Sequence, residues 1–135
     1  FHLELRQKNK KEIESFMRSL VTKYSKYFNK KYERVGPLFQ GRYTAGLVQS
    51  TEYFLHLTRY IHRNPKELFV KDQPLISYPW SSYPSYLNNS TICWLNKELI
   101  FINFLKDKEF SPILYKSFVE NYDDQLESSN LLYYS

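Results

Sequence analysis

Apolar positions along the chain change their spacing several times, and each change predicts an element. Residues 1–6 alternate, with Phe1, Leu3 and Leu5 on one side and His2, Glu4 and Arg6 on the other, the period of a half-buried strand. After the polar turn Lys8-Asn9-Lys10-Lys11, spacing shifts to three and four. Ile13, Phe16, Met17, Leu20, Val21, Tyr24, Tyr27 and Phe28 predict one long amphipathic helix over residues 12–32, its stripe suited to packing on a sheet. Lys23, Lys26 and Lys30 fall on its other side. Core packing with solubilising lysines explains the helix body, and contact with nucleic acid is expected only near Lys30, Lys31 and Arg34.

Gly36-Pro37 ends that helix. Leu38 to Tyr43 and Ala45 to Val48 read as a strand pair or an extended loop. Within them Gly41 serves either a turn or a close backbone approach, the turn being the simpler reading. A second helix begins at Ser50 or Thr51 with Glu52 in its first turn. It runs to about Arg63 and stops before Pro65, since the residue preceding a proline resists helical geometry. Tyr53, Phe54, Leu57 and Ile61 are its expected apolar stripe. Arg59 and Arg63 are expected on a basic face, with Tyr60 on the border between the two. Residues 66–90, rich in Pro, Ser, Asn and Tyr, read as an ordered loop held by aromatics. Residues 96–106 (Leu99, Ile102, Leu105) and 111–122 (Leu114, Phe118, Tyr122) read as two short helices, and the tail after Asp123 as frayed.

Composition changes this picture in two ways. The chain of 135 residues carries 13 tyrosines and a net charge of +5, unevenly placed. Residues 1–66 hold 14 Lys/Arg against 5 Asp/Glu, and residues 67–135 hold 5 against 9. A basic half joined to an acidic half suggests a polyanion for the first half, although a solvated basic helix face gives the same charge. Cys93 is the single cysteine, so no internal disulfide forms, which fits a reducing, cytoplasmic setting. No apolar run approaches the roughly 18 residues of a membrane span, so no membrane partner is expected. No signal peptide is read at the start, and the opening without methionine reads as either a shortened chain or a gene fragment.

The candidate chemistry lies in Arg59-Tyr60-Ile61-His62-Arg63-Asn64-Pro65. On a helix Tyr60 and Asn64 share a face one turn apart. A tyrosine hydroxyl beside positive charge can attack a phosphorus centre and hold it covalently, although a packed helix tyrosine and an asparagine ending a helix explain the same residues. His62 projects away from Tyr60, and His56 lies one turn before it. A zinc site from His2, His56 or His62 with Cys93 has no recognised ligand spacing.

Five segments together carry a resemblance: Phe1-His2-Leu3; Tyr27 to Tyr32 followed by Arg34-Val35-Gly36-Pro37-Leu38-Phe39-Gln40-Gly41-Arg42; Arg59 to Pro65; Tyr78-Pro79-Trp80-Ser81-Ser82-Tyr83; and Tyr115-Lys116-Ser117-Phe118-Val119. In order and spacing they resemble the REP-associated tyrosine transposases and, more widely, the single-tyrosine HUH transposases of insertion sequences. The resemblance implies an α+β fold, an antiparallel sheet with packed helices of the HUH, ferredoxin-like type, truncated at its N-terminus. Residues 1–90 would be part of the catalytic domain and residues 91–135 a C-terminal helical extension. It implies cleavage and rejoining of single-stranded hairpin DNA through a 5′-phosphotyrosine bond. Tyr60 would be the nucleophile, and His2 and Asn64 would be ligands of a divalent metal, Mg or Mn. Lys30, Lys31, Arg34, Gln40, Arg42, Arg59 and Arg63 would lie against DNA, with Tyr and Phe rings among them stacking on unpaired bases. The family's first metal histidine would stand two positions before His2, outside the chain. A non-catalytic DNA-binding remnant is therefore the alternative, and monomeric and homodimeric assembly both stay open.

Overall fold

A computed structural model describes residues 1–69, 73–88, 90–105 and 111–121. Five α-helices carry the regular structure: α1 (Glu12–Lys31), α2 (Thr51–Arg63), α3 (Tyr83–Leu87), α4 (Glu98–Leu105) and α5 (Pro112–Glu120). Short 3-10 helices occupy Asn64–Leu68 and Leu75–Ser77. The chain divides into two compact units, Phe1–Gly46 and Leu47–Ser135.

The expected α+β fold is overturned. Every regular element among the described residues is helical, and no antiparallel sheet of HUH or ferredoxin-like type is present there. Residues 1–6 alternate as a strand would, but alternation specifies two faces and not a partner, and a strand without a ladder has no independent stability. The stretch expected to pair, residues 38–48, has no regular structure. Nearby, Gly36 and Gly41 turn with φ of 100° and 80°. An added Cβ at Gly41 would meet nothing within 4 Å, so its role is the turn and not a close backbone approach.

In the first unit, α1 starts without a side-chain cap from Lys11, whose own φ is 70°. The Glu12 carboxylate replaces the cap by folding the preceding turn onto itself. It accepts from the backbone N–H of Lys8 at 2.8 Å and of Asn9 at 3.1 Å, and from Asn9 Nδ2 at 2.6 Å. These bonds hold its pKa below the ordinary carboxylate value, the Asn9 side chain contributing most. At the far end Asn29 Nδ2 donates to Gly36 O at 2.8 Å, turning the chain back after the helix. Met17 is the buried residue of α1, and most of the predicted stripe is only partly covered.

The second unit holds the larger core. Leu75, Tyr83, Tyr86, Ile100, Tyr115 and Val119 are buried, and Phe54, Leu55, Phe101, Phe104 and Phe118 pack against them. Helix α2 begins as the sequence predicts: Ser50 is extended and its Oγ accepts from Tyr53 N at 3.1 Å. It also ends at Arg63 as expected, but Asn64 keeps right-handed helical dihedrals (φ −47°, ψ −37°) and the chain continues through Pro65 in a 3-10 turn, with proline near the turn's start, where a missing N–H costs nothing. The expected helices near 96–106 and 111–122 are α4 and α5, but the buried positions are Ile100, Tyr115 and Val119, while Ile102 and Leu114 are exposed. Tyr122 and the tail lie outside the described residues.

Candidate functional site

The two arginines beside Tyr60 do not form a basic face. Helix α2 buries Thr58, Arg59, His62 and Arg63, a stripe toward the opposite side from the expected Tyr53, Phe54, Leu57 and Ile61, which are only half-buried. Arg63 is 6% exposed, and its Nη1 donates to Val119 O at 3.0 Å and Glu120 O at 3.3 Å. It therefore caps the last turn of α5, where a cation also meets the negative end of the helix dipole. Arg59 lies 4.7 Å over the Phe118 ring and hydrogen-bonds His56 Nδ1. Since a guanidinium only donates, that His56 nitrogen is the acceptor.

Behind α2, His62 is 2% exposed and ringed by aromatics, with its centroid 4.9 Å from Tyr86 and 5.4 Å from Tyr83. Its two nitrogens are both used: Nε2 lies 3.0 Å from Ser82 Oγ and Nδ1 lies 3.0 Å from the Tyr115 hydroxyl. Burial pushes its pKa down to about 3, so the ring is neutral, one nitrogen donating and the other accepting. The Tyr83 hydroxyl donates to Glu120 Oε1 at 2.8 Å, and burial, then Glu120, pushes its pKa up. Sequence reasoning missed this network; the signal available was several tyrosines standing beside apolar positions in Tyr78 to Tyr86 and Tyr115 to Val119.

Tyr60 and Asn64 do come together. Both are half-buried, and Asn64 Nδ2 donates to the Tyr60 hydroxyl at 3.4 Å. His2 is exposed in the other unit. Among the described residues no three His, Cys, Asp or Glu side chains converge as a metal site would require.

The remaining predicted DNA contacts share the first unit. Lys30, Lys31, Arg34, Gln40 and Arg42 are all exposed. The unit has 11 Lys/Arg against 4 Asp/Glu, a net +7. The same region exposes two rings that the sequence pattern assigned to a core stripe, Tyr24 (46% exposed) and Tyr27 (57%), together with Tyr32 (54%) just after the helix. Tyr24 lies 6.0 Å from Phe28 and 6.2 Å from Phe39, and Phe28 lies 4.5 Å from Tyr32. Cations cover these rings, with Lys31 Nζ near both Tyr27 and Tyr32, and Arg34 over Phe28. Hydrogen bonding and charge interaction with Tyr27, then Tyr32, hold the Lys31 pKa above the ordinary lysine value. Basic side chains interleaved with exposed rings are the surface chemistry of single-strand binding.

Comparison with family models, curated proteins and solved structures gives no match. Among the described residues, no helix is long and apolar enough to cross a membrane.

Proposed function

We propose that the chain binds single-stranded or hairpin DNA through its Phe1–Gly46 unit, as a DNA-binding relative of the REP-associated tyrosine transposases that its sequence resembles. One observation carries the reading: a net charge of +7 concentrated in a unit whose exposed Lys30, Lys31, Arg34 and Arg42 stand among exposed aromatic rings. Phosphates supply the long-range attraction, and unpaired bases have ring faces to meet. Binding takes precedence over cleavage because the helical architecture lacks, among the described residues, the sheet that the resemblance implies for the segment carrying His2.

The test is fluorescence anisotropy with hairpin-bearing single-stranded DNA across a salt series. Affinity falls steeply with salt, by about 0.7 in log–log slope per phosphate contacted on a single strand. Replacing Lys30, Lys31, Arg34 and Arg42 together by glutamine lowers that slope by roughly 2–3. Absent or salt-independent binding would eliminate the proposal.

A second reading rests on the Tyr60–Asn64 contact: Tyr60 attacks a DNA phosphorus, its hydroxyl losing its proton to water and its oxygen forming the new P–O bond as the bond to the 3′ oxygen breaks and that oxygen takes a proton from water. Asn64 then positions the attacking hydroxyl. Incubation with hairpin-bearing single strands, with and without Mn²⁺, yields a covalent protein–DNA adduct that disappears in Tyr60→Phe. No adduct under either condition, or one that survives Tyr60→Phe, leaves binding as the function.

A further inference from the structure

The exposed rings at the end of α1 are distributed in a way that packing does not account for. Tyr27 and Tyr32 are each more than half exposed, whereas Met17, the buried residue of the helix, lies about three turns earlier or more. Lys31 Nζ stands 5.7 Å from the Tyr27 ring centroid and 5.5 Å from that of Tyr32. One ammonium is thus shared between two solvent-facing aromatic rings. Arg34 and Phe28 form a separate pair, with the Phe28 ring half-buried and 4.5 Å from Tyr32. An exposed cation–ring contact is weak, so Lys31 can leave the rings when a stronger partner arrives.

A single strand presents a phosphate between each pair of neighbouring bases, and two rings sharing one ammonium match that alternation. We infer that Tyr27, Lys31 and Tyr32 form a dinucleotide subsite in which the two rings stack adjacent unpaired bases and Lys31 takes the phosphate between them. The inference rests on the proposed DNA binding and adds its register and contact chemistry. Stacking uses the face of any base, so the subsite tolerates sequence but requires bases to be present and unpaired.

The full chain is titrated with an oligothymidylate and with an abasic strand of equal length, each over a salt series, alongside circular dichroism to verify folding. Tyr27→Leu and Tyr32→Leu each weaken oligothymidylate binding by about 5- to 150-fold, with the salt slope unchanged and abasic-strand binding unaffected. Tyr27→Phe and Tyr32→Phe retain the ring and bind as the parent does. Lys31→Met lowers the slope by about 0.7 on both strands. If the parent binds both strands equally and the leucine variants bind like the parent, the subsite is wrong while charge-driven binding stands. Phenylalanine variants as weak as the leucine ones would also overturn it. A parent that binds neither strand overturns the binding function itself.

Discussion

Replacing Arg63 by methionine lowers the thermal midpoint of the Leu47–Ser135 unit by roughly 10–25 °C, the largest effect expected of any single substitution in α2. Methionine keeps the aliphatic stem and removes the guanidinium. The carbonyls of Val119 and Glu120, which accept from Arg63 Nη1 at 3.0 and 3.3 Å, then lose their donor inside a site where the arginine is only 6% exposed. A hydrogen bond from a charged donor contributes about 1.5–3 kcal/mol, and the charge at the α5 terminus adds up to about 2 kcal/mol in a partly buried setting, giving roughly 2–4 kcal/mol once overlap between the two is allowed for. Lysine at this position keeps the charge with a single donor head and recovers part of the loss. Circular dichroism follows the helix loss, and hydrogen exchange of the α5 amides localises it. DNA affinity of the folded variant stays at the parental value. A variant with an unchanged midpoint and lost DNA binding would return Arg63 to the interface and refute the capping role.

Arg59 and Arg63 show where the sequence is legible and where it is not. Local signals are readable: Ser50 caps α2, spacing marks α1, and the two short C-terminal helices stand close to where periodicity predicts them. The Tyr60–Asn64 contact follows from one-turn spacing alone. What fails is the choice of which face is buried. A hydropathy pattern treats arginine as polar, but here Arg63 is fixed by carbonyls more than fifty positions later and Arg59 by the Phe118 ring, partners that no local window contains. The inverse error occurs in α1, where Tyr24 and Tyr27 fit an apolar stripe and yet remain exposed among lysines. Tyrosine satisfies either assignment because one side is apolar and its tip is polar. The strand expected at residues 1–6 fails for a related reason, since alternation specifies faces but pairing requires a second segment. Five of the residues assigned to DNA, Lys30, Lys31, Arg34, Gln40 and Arg42, remain exposed on one basic unit, while Arg59 and Arg63 are buried in the other. Thus the segments that carry the family resemblance around Tyr83 and Tyr115 do structural work here, meeting at His62.

That meeting point gives the chain a steep acid limb. His62 is neutral in the folded state, with burial depressing its pKa to about 3, whereas the unfolded chain's histidine titrates near 6.5. Above pH 6.5 both states are neutral at this site and stability does not depend on it. As pH falls below 6.5 the unfolded state gains a proton that the folded state refuses, so the contribution is lost progressively down to about pH 3. The slope is about 1.4 kcal/mol per pH unit, so acidification from pH 6.5 to 4.5 costs roughly 2.5 kcal/mol from His62 alone. The protonated ring would have two donors facing Ser82 Oγ and the Tyr115 hydroxyl, among the rings of Tyr83 and Tyr86, with no carboxylate among these contacts to compensate it. Tyr83 gives the opposite limb: its raised pKa keeps it protonated where an unfolded tyrosine ionises, so stability falls as pH rises above about 10. Urea midpoints measured from pH 7 to 4.5 decline steeply in the parent. In His62→Gln, which keeps a donor and an acceptor without a titrating ring, the curve starts lower at pH 7 and declines less by about one proton's slope. An equally steep decline in His62→Gln would assign the acid limb to other groups and detach it from the histidine that joins α2, α3 and α5.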